Sequence, residues 1–172
     1  PEHRKKCIRV IYKRDYHIDL PIYYKFDLDD DEEHPKLAVK GEEFELSDPK
    51  KFFEWFNSKK DDDRQLVRIV KYLKAWGDNI RNKMPSGLVL TLLACECIQH
   101  DDRDDEALRK TLKEIRSKLN ISWYLTMPTC CPDNSNLLGG YDQDKKNYIM
   151  EKLEDFIEDA DEAIDEESNQ LK

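Results

Sequence analysis

The sequence predicts an α+β protein in which a small antiparallel sheet precedes a helical bundle. Three observations carry this. Strand-forming runs cluster in the first two dozen residues, amphipathic helical patterns succeed one another from residue 47 onward, and residues 88–98 are apolar nearly all round. The expected organisation is therefore a sheet portion over 1–46 and a helical portion over 47–172.

The sheet portion opens on Cys7 to Tyr12, which alternates with Ile8 and Val10 on one side and Arg9 and Ile11 on the other. Lys13-Arg14-Asp15 turns it into the stretch Asp15 to Tyr24, and the two read as adjacent antiparallel strands. Along the second, Ile18, Leu20 and Ile22 share one face while His17, Asp19 and Pro21 share the other. Asp19 is an acid set in a strand-forming run. Burying it costs several kcal/mol unless donors or a cation meet it, so either a partner pairs it or a metal uses it. The acidic run from Asp27 through Pro35 has little to bury and reads as a loop kept extended by like charges. Leu37 to Val39 and Glu43 to Leu46, split by Gly41, form a further short hairpin.

Ser47-Asp48-Pro49 starts the helices, with a capping side chain followed by a proline preformed for the first turn. Phe52, Phe53, Trp55 and Phe56 give this helix an apolar face expected to enter the core. Asp61-Asp62-Asp63 places negative charge where the next helix dipole favours it, and Leu66, Ile69, Val70, Leu73, Trp76 and Ile80 form that helix's stripe. Pro85-Ser86-Gly87 interrupts the chain before the central buried helix. Leu108, Leu112, Ile115 and Leu119 mark a surface helix. Residues 127–141 read as an ordered loop, and Ile149, Leu153, Phe156, Ile157, Ala160 and Ile164 mark the last helix.

Composition narrows the function. Charged residues make up 39% and the formal net charge is −9, so the surface repels a nucleic-acid backbone and no duplex DNA partner is expected. No apolar run reaches the ~20 residues of a membrane span. Five cysteines without regular spacing point to reduced thiols and a cytoplasmic location. Cys95-x-Cys97 and Cys130-Cys131 lack the two-residue gap of a zinc knuckle.

Asp19 on a strand, Lys71 on a helix and Ser86 at a helix start are the residues whose chemistry converges. A carboxylate holds magnesium, while a lysine together with the amides and hydroxyl of a helix start holds a triphosphate. Each also has a structural reading: Asp19 paired with Arg9 or Arg14, Lys71 solvated, Ser86 a cap. Lys74, a turn beyond Lys71, is a second phosphate candidate, and His17 either orients Asp19 or packs beside it.

Four stretches in this order resemble a known family: His17-Ile-Asp-Leu-Pro-Ile-Tyr23, Ser47-Asp-Pro-Lys-Lys-Phe-Phe-Glu-Trp-Phe56, Leu66-Val-Arg-Ile-Val-Lys-Tyr-Leu-Lys-Ala-Trp76 and Pro85-Ser-Gly-Leu-Val-Leu-Thr-Leu-Leu93. The chain resembles the cGAS/DncV-like nucleotidyltransferases, bacterial relatives of animal cyclic GMP-AMP synthase and oligoadenylate synthase. The resemblance extends through the Pro132-Asp-Asn-Ser-Asn-Leu-Leu138 loop. It implies the end of a nucleotidyltransferase core sheet packed on an oligoadenylate synthase-like helical domain. It further implies transfer of a nucleotidyl group from a nucleoside triphosphate (ATP, GTP, UTP or CTP) to a ribose hydroxyl, making a cyclic or linear second messenger in antiphage defence.

By position, the resemblance makes Asp19 the third metal-binding carboxylate and Lys71 and Ser86 the contacts to the donor triphosphate. The family's Gly-Ser turn and Asp-x-Asp pair are absent from the eighteen residues before Asp19. Magnesium is therefore expected only together with missing upstream acids, the partner is the N-terminal portion of the same enzyme, and the chain alone is expected to be inactive. Gly87 replaces a base-stacking tyrosine of the animal enzymes, whose zinc thumb is not evident. The alternatives are a nucleotidyltransferase with another acceptor, RNA or an antibiotic, and a non-catalytic helical interaction module.

Overall fold

The computed structural model describes residues 1–13, 16–81, 83–129 and 135–170, the side chains of 167–170 apart. The chain divides into two compact units. The first is Pro1–Phe56 with a short stretch that starts at Pro128, and the second is Asn57–Met127 with the remainder of the chain.

In the first unit, β1 (Glu2–His3), β2 (Ile8–Ile11) and β3 (His17–Leu20) form an antiparallel sheet in that order. The register pairs Ile8 with Leu20, Arg9 with Asp19, Val10 with Ile18 and Ile11 with His17. Alternation thus puts Arg9, Ile11, His17 and Asp19 on one face, as expected from the sequence. The rings of Tyr12 and Tyr16 stack 4.8 Å apart just beyond the paired residues. Arg14 and Asp15 lie outside the described residues.

Two expectations for this region are corrected. The run from Asp15 to Tyr24 is not one strand. It breaks at Pro21, which lacks the N–H a ladder needs, and β4 (Tyr23–Tyr24) joins β5 (Lys36–Leu37) and β6 (Glu45–Leu46) in a second antiparallel sheet, with β5 central. Gly41, at φ +77, turns the chain between β5 and β6. The acidic loop is curled rather than extended, because its carboxylates satisfy its own backbone. Glu33 accepts from the amides of Phe26 and Asp27, Asp27 from that of Asp29, and Asp30 from that of Glu32.

α1 (Pro49–Ser58) begins as read, Asp48 accepting the Lys51 N–H at 2.9 Å. Its aromatic face is not core, however. No residue of α1 is buried and Phe53 is 61% exposed.

The second unit is built around α2 (Gln65–Ile80), α3 (Gly87–Cys97), α4 (Asp104–Ile121) and α5 (Gln143–Gln170). Asp61 and Asp63 accept the first amides of α2, and Asp142 accepts the Lys145 N–H at the start of α5. α3 buries Val89, Leu90, Leu92, Leu93 and Ala94, which cover more than half of its circumference, while Leu88 and Glu96 are exposed. α2 supplies Leu66, Ile69, Val70 and Leu73, α4 supplies Leu112, Ile115 and Leu119, and α5 supplies Ile149, Leu153, Ile157 and Ile164. Trp76 stacks on Phe156 at 5.2 Å. Gln65, itself buried, fixes the start of α2 to the α3–α4 link through the Asp101 carbonyl and amide and to Asp104. Asn136 holds its loop by accepting from the Leu125 and Leu138 amides and donating to the Trp123 carbonyl.

Leu92 is 1% exposed on α3. Leu92→Ala is expected to cost about 2–5 kcal/mol in urea unfolding, and a loss below about 1 kcal/mol would contradict the central role of this helix.

Candidate nucleotide-binding site

Asp19 and His17 belong to the first unit, and Lys71, Lys74 and Ser86 to the second. In the sheet, the register brings Arg9 directly opposite Asp19. The guanidinium grips the carboxylate through two bonds, Nε to Oδ1 at 2.7 Å and Nη2 to Oδ2 at 2.8 Å. The Arg9 hydrogen bond therefore holds the Asp19 pKa down at about 2, with His17, on the same face, acting in the same direction. The Cys7 thiol also reaches this carboxylate, and burial followed by the Asp19 charge pushes its pKa up. Asp19 is thus ionised at neutral pH and its side chain is 40% exposed. The structural reading, a pair with Arg9, is present in the fold, and the carboxylate is still reachable from solvent.

A metal needs more than this one acid. Among the described residues there is no group of three or more His, Cys, Asp or Glu side chains able to hold an ion. The residues present do not make a magnesium site by themselves; they offer one carboxylate to it.

In the second unit, the start of α3 gathers the other predicted residues. Ser86 is its N-cap in extended conformation, and its hydroxyl accepts the Val89 N–H at a long 3.4 Å. The amides of the first turn have no partner inside the helix, and the helix dipole makes this end electropositive. Gly87 opens space for Lys74: a Cβ at 87 would stand 3.3 Å from the Lys74 Cε. The stem of Lys74 therefore crosses the first residue of α3. Lys71 lies one turn earlier on α2 and is exposed. Neither amine has a hydrogen-bond or ion-pair partner among the described residues. Lys110, Lys113, Arg116, Lys118 and Lys152 of the same unit are ion-paired, whereas Lys83, Lys145 and Lys146, like Lys71 and Lys74, meet no carboxylate among the described residues.

Beside Lys74 opens a cleft of about 550 Å³ that the sequence did not announce. Buried Met84, Pro85 and Leu90 line it with Gly77 and Gly87, and Lys74, Asp78 and Arg81 bring charge to it. Arg81 ends α2 at φ 62, ψ −157, a conformation that normally demands glycine. Its amide donates to the Gly77 carbonyl at 2.9 Å. A sequence signal for such a turn would have been Gly or Asn at 81, and neither is there.

Tyr141, distant in sequence but reached by the Ser86 backbone N–H, is half-buried. Burial raises its pKa, and the Ser86 backbone N–H acts the other way. Lys145 Nζ sits 3.6 Å from the centre of the Tyr141 ring. The cysteines supply no reactive thiol here, since burial pushes both Cys95 and Cys97 up to about 11. Cys130-Cys131 and Pro132 to Asn134 lie outside the described residues.

No sequence-family model matches the chain. Solved structures do. Vibrio cholerae DncV cyclic AMP-GMP synthase in complex with the linear intermediate 5' pppA(3',5')pG superposes with a TM-score of 0.75 at 24% identity, over 94% of this chain and 47% of that one. The fold is the DncV fold. The same synthase in complex with nonhydrolyzable GTP gives 0.74 at 24% identity, over 94% and 46%. Escherichia coli DncV in its 3'-deoxy GTP bound form gives 0.71 at 21%, over 92% and 45%. DncV is a cGAS/DncV-like nucleotidyltransferase, so the resemblance in the sequence and the likeness in three dimensions agree. The chain spans about half the length of these DncV chains.

Arg9→Leu is expected to return the Asp19 pKa from about 2 toward its ordinary 3.8. Because the folded value is depressed, the pairing stabilises the fold in full above the ordinary carboxylate value and loses that contribution as pH falls toward 2. Carboxyl-carbon NMR titration reads this directly, and a value still near 2 in the variant would show that Arg9 is not the cause.

Proposed function

We propose that this chain is the donor-binding portion of a nucleotidyltransferase that makes cyclic or linear oligonucleotide second messengers from nucleoside triphosphates. The observation that carries the reading is the pair of unpartnered amines, Lys71 and Lys74, one turn apart on α2, with Lys74 laid across the start of α3 at Gly87. Two cations, a serine hydroxyl and the Gly87 and Leu88 amides, which have no acceptor inside the helix, together suit a polyphosphate. The DncV fold over nearly the whole chain adds to this.

In this reading residues 1–46 close the core sheet and 47–172 form the helical domain. An acceptor ribose hydroxyl attacks the α-phosphorus of the donor. The new P–O bond forms as the bond to pyrophosphate breaks, and the hydroxyl proton passes to a base. Lys71, Lys74 and Ser86 hold the leaving pyrophosphate and offset its growing charge. Asp19 supplies one ionised carboxylate, kept ready by Arg9, to a magnesium site completed by acids from the N-terminal portion of the enzyme; that ion would polarise the reacting phosphoryl oxygens. Exposed Ile18 and Leu20, on the face of β3 away from Asp19, suit packing by that portion. The chain alone then binds triphosphate without turnover. Antiphage defence and a cytoplasmic location belong to the same proposal, the latter supported by free Cys7, Cys95 and Cys97 and by the lack, among the described residues, of a helix long and apolar enough to cross a membrane. The charge of −9 disfavours RNA as acceptor.

Calorimetric titration of the chain with ATP and GTP is expected to show binding that Lys71→Ala weakens by roughly ten- to hundredfold, the loss of one charge-assisted contact. Unchanged affinity would remove Lys71 from the site. In an enzyme carrying the full acid set, Asp19→Asn is expected to abolish synthesis while circular dichroism stays unchanged; wild-type turnover would end the metal role.

A further inference from the structure

Lys145 and Lys146 stand where a helix least favours cations. Asp142 caps α5 by accepting the Lys145 N–H at 2.8 Å, so both lysines lie in or beside the first turn, where the positive end of the dipole opposes a positive side chain. Neither meets a carboxylate among the described residues. Aromatic faces hold them instead. The Lys145 amine sits 3.6 Å from the centre of the Tyr141 ring, and the Lys146 amine 5.6 Å from that of Trp123. The two rings lie 6.4 Å apart, tilted by 52°, and make one platform under both cations.

The platform is anchored. The Tyr141 amide donates to the Leu138 carbonyl at 3.1 Å, Leu138 is 1% exposed, and Asn136 links the Leu138 amide to the Trp123 carbonyl. The hydroxyl of the same tyrosine is reached by the Ser86 backbone N–H. One ring therefore joins the Lys145 amine to the start of α3. A lysine held on a ring has given up rotamer freedom before any anion arrives, which lowers the cost of binding one. The ring occupies one side of the ammonium, and the other N–H donors remain for an acceptor. As a device for stabilising α5 alone the arrangement is poor, because an acid at 145 would suit the dipole and a lysine does not.

We infer that Lys145 is a further phosphate-binding residue of the site at Ser86, Lys71 and Lys74, and that Tyr141 is the positioning residue that holds it there. The inference rests on the triphosphate reading proposed above and adds to that site a wall from the start of α5. The ligand it recognises is a polyphosphate chain, whatever base is attached.

Calorimetric titration of the chain with inorganic tripolyphosphate, which carries no base or ribose, tests this. Lys145→Gln is expected to weaken binding about tenfold or more, the loss of one charge-assisted contact. Lys146→Gln removes the same charge next door and is expected to change affinity by less than about threefold. Tyr141→Phe keeps the ring and is expected to keep the Lys145 contribution. In a Tyr141→Leu background, which lacks the platform, Lys145→Gln is expected to cost less than about threefold, a coupling that an independent lysine would not show. Wild-type affinity in Lys145→Gln, alongside weakening by Lys71→Ala, overturns the inference and leaves the triphosphate site standing. Equal weakening by Lys145→Gln and Lys146→Gln also overturns it, since only net charge is then read, and an undiminished Lys145 effect without the ring removes the role of Tyr141. Absence of tripolyphosphate binding by the wild-type chain overturns both readings. Should the variants fail to fold, the Lys145 Cε signal of the wild-type chain decides by NMR: it shifts saturably with tripolyphosphate if the inference holds, and an unmoved signal overturns it.

Discussion

A helix that buries seven of its eleven residues has one place to go. Leu90, Leu92, Leu93 and Ala94 of α3 are each at most 4% exposed, with α2 and α4 packed against the helix and α5 on α4. That burial fixes where α3 starts. Ser86 caps the Val89 amide, and the Gly87 and Leu88 amides of the first turn have no acceptor inside the helix, so this end stands at the edge of the bundle. Ser86 and Gly87 occupy that edge, and the glycine, having no Cβ, lets Lys74 lie across it. The candidate site is a consequence of the core: the same helix that holds the second unit together presents its positive end.

The chain carries 38 acids against 29 lysines and arginines, and many cations of this unit meet a carboxylate. Arg68 grips Asp104 and, with Gln65 and Tyr72, holds it down at about 2; Lys113 and Arg109 share Asp161; Lys118 meets Glu96. Lys71 and Lys74 do not, although both are exposed. In the sheet the opposite arrangement holds, since the Asp19 carboxylate is gripped by Arg9 directly opposite it. A metal taking that carboxylate would share it with Arg9 or displace it.

The helices were legible because periodicity and capping are local. Asp48, the acids at 61 and 63, and Ser86 act where the sequence placed them, and the stripes of α2, α4 and α5 enter the core. What the sequence hid depends on distant partners. The aromatic face of α1 reads as core, yet Phe53 is 61% exposed and no residue of α1 is buried. Alternation from Asp15 to Tyr24 ignores the N–H that Pro21 lacks, so one expected strand became two in different sheets. Like charges in the acidic loop suggested extension, but Glu33, Asp27 and Asp30 satisfy backbone amides, which outweighs screened repulsion between exposed carboxylates. Lys71, Lys74 and Ser86 came from the sequence. The cleft of Asp78 and Arg81 did not, because it is made by the close approach of α2 to α3 at Gly77 and by a left-handed arginine that no propensity favours.

The central claim is that the start of α3 receives a nucleoside triphosphate. Backbone amide shifts of the isotopically labelled chain, followed by NMR during addition of a nonhydrolysable GTP analogue, test it most directly. Saturable shifts concentrated at Ser86, Gly87 and Leu88 and on α2 around Lys71 and Lys74 are the predicted result. Shifts confined to the acidic loop, to the distal half of α5 or to no residue at all would contradict it.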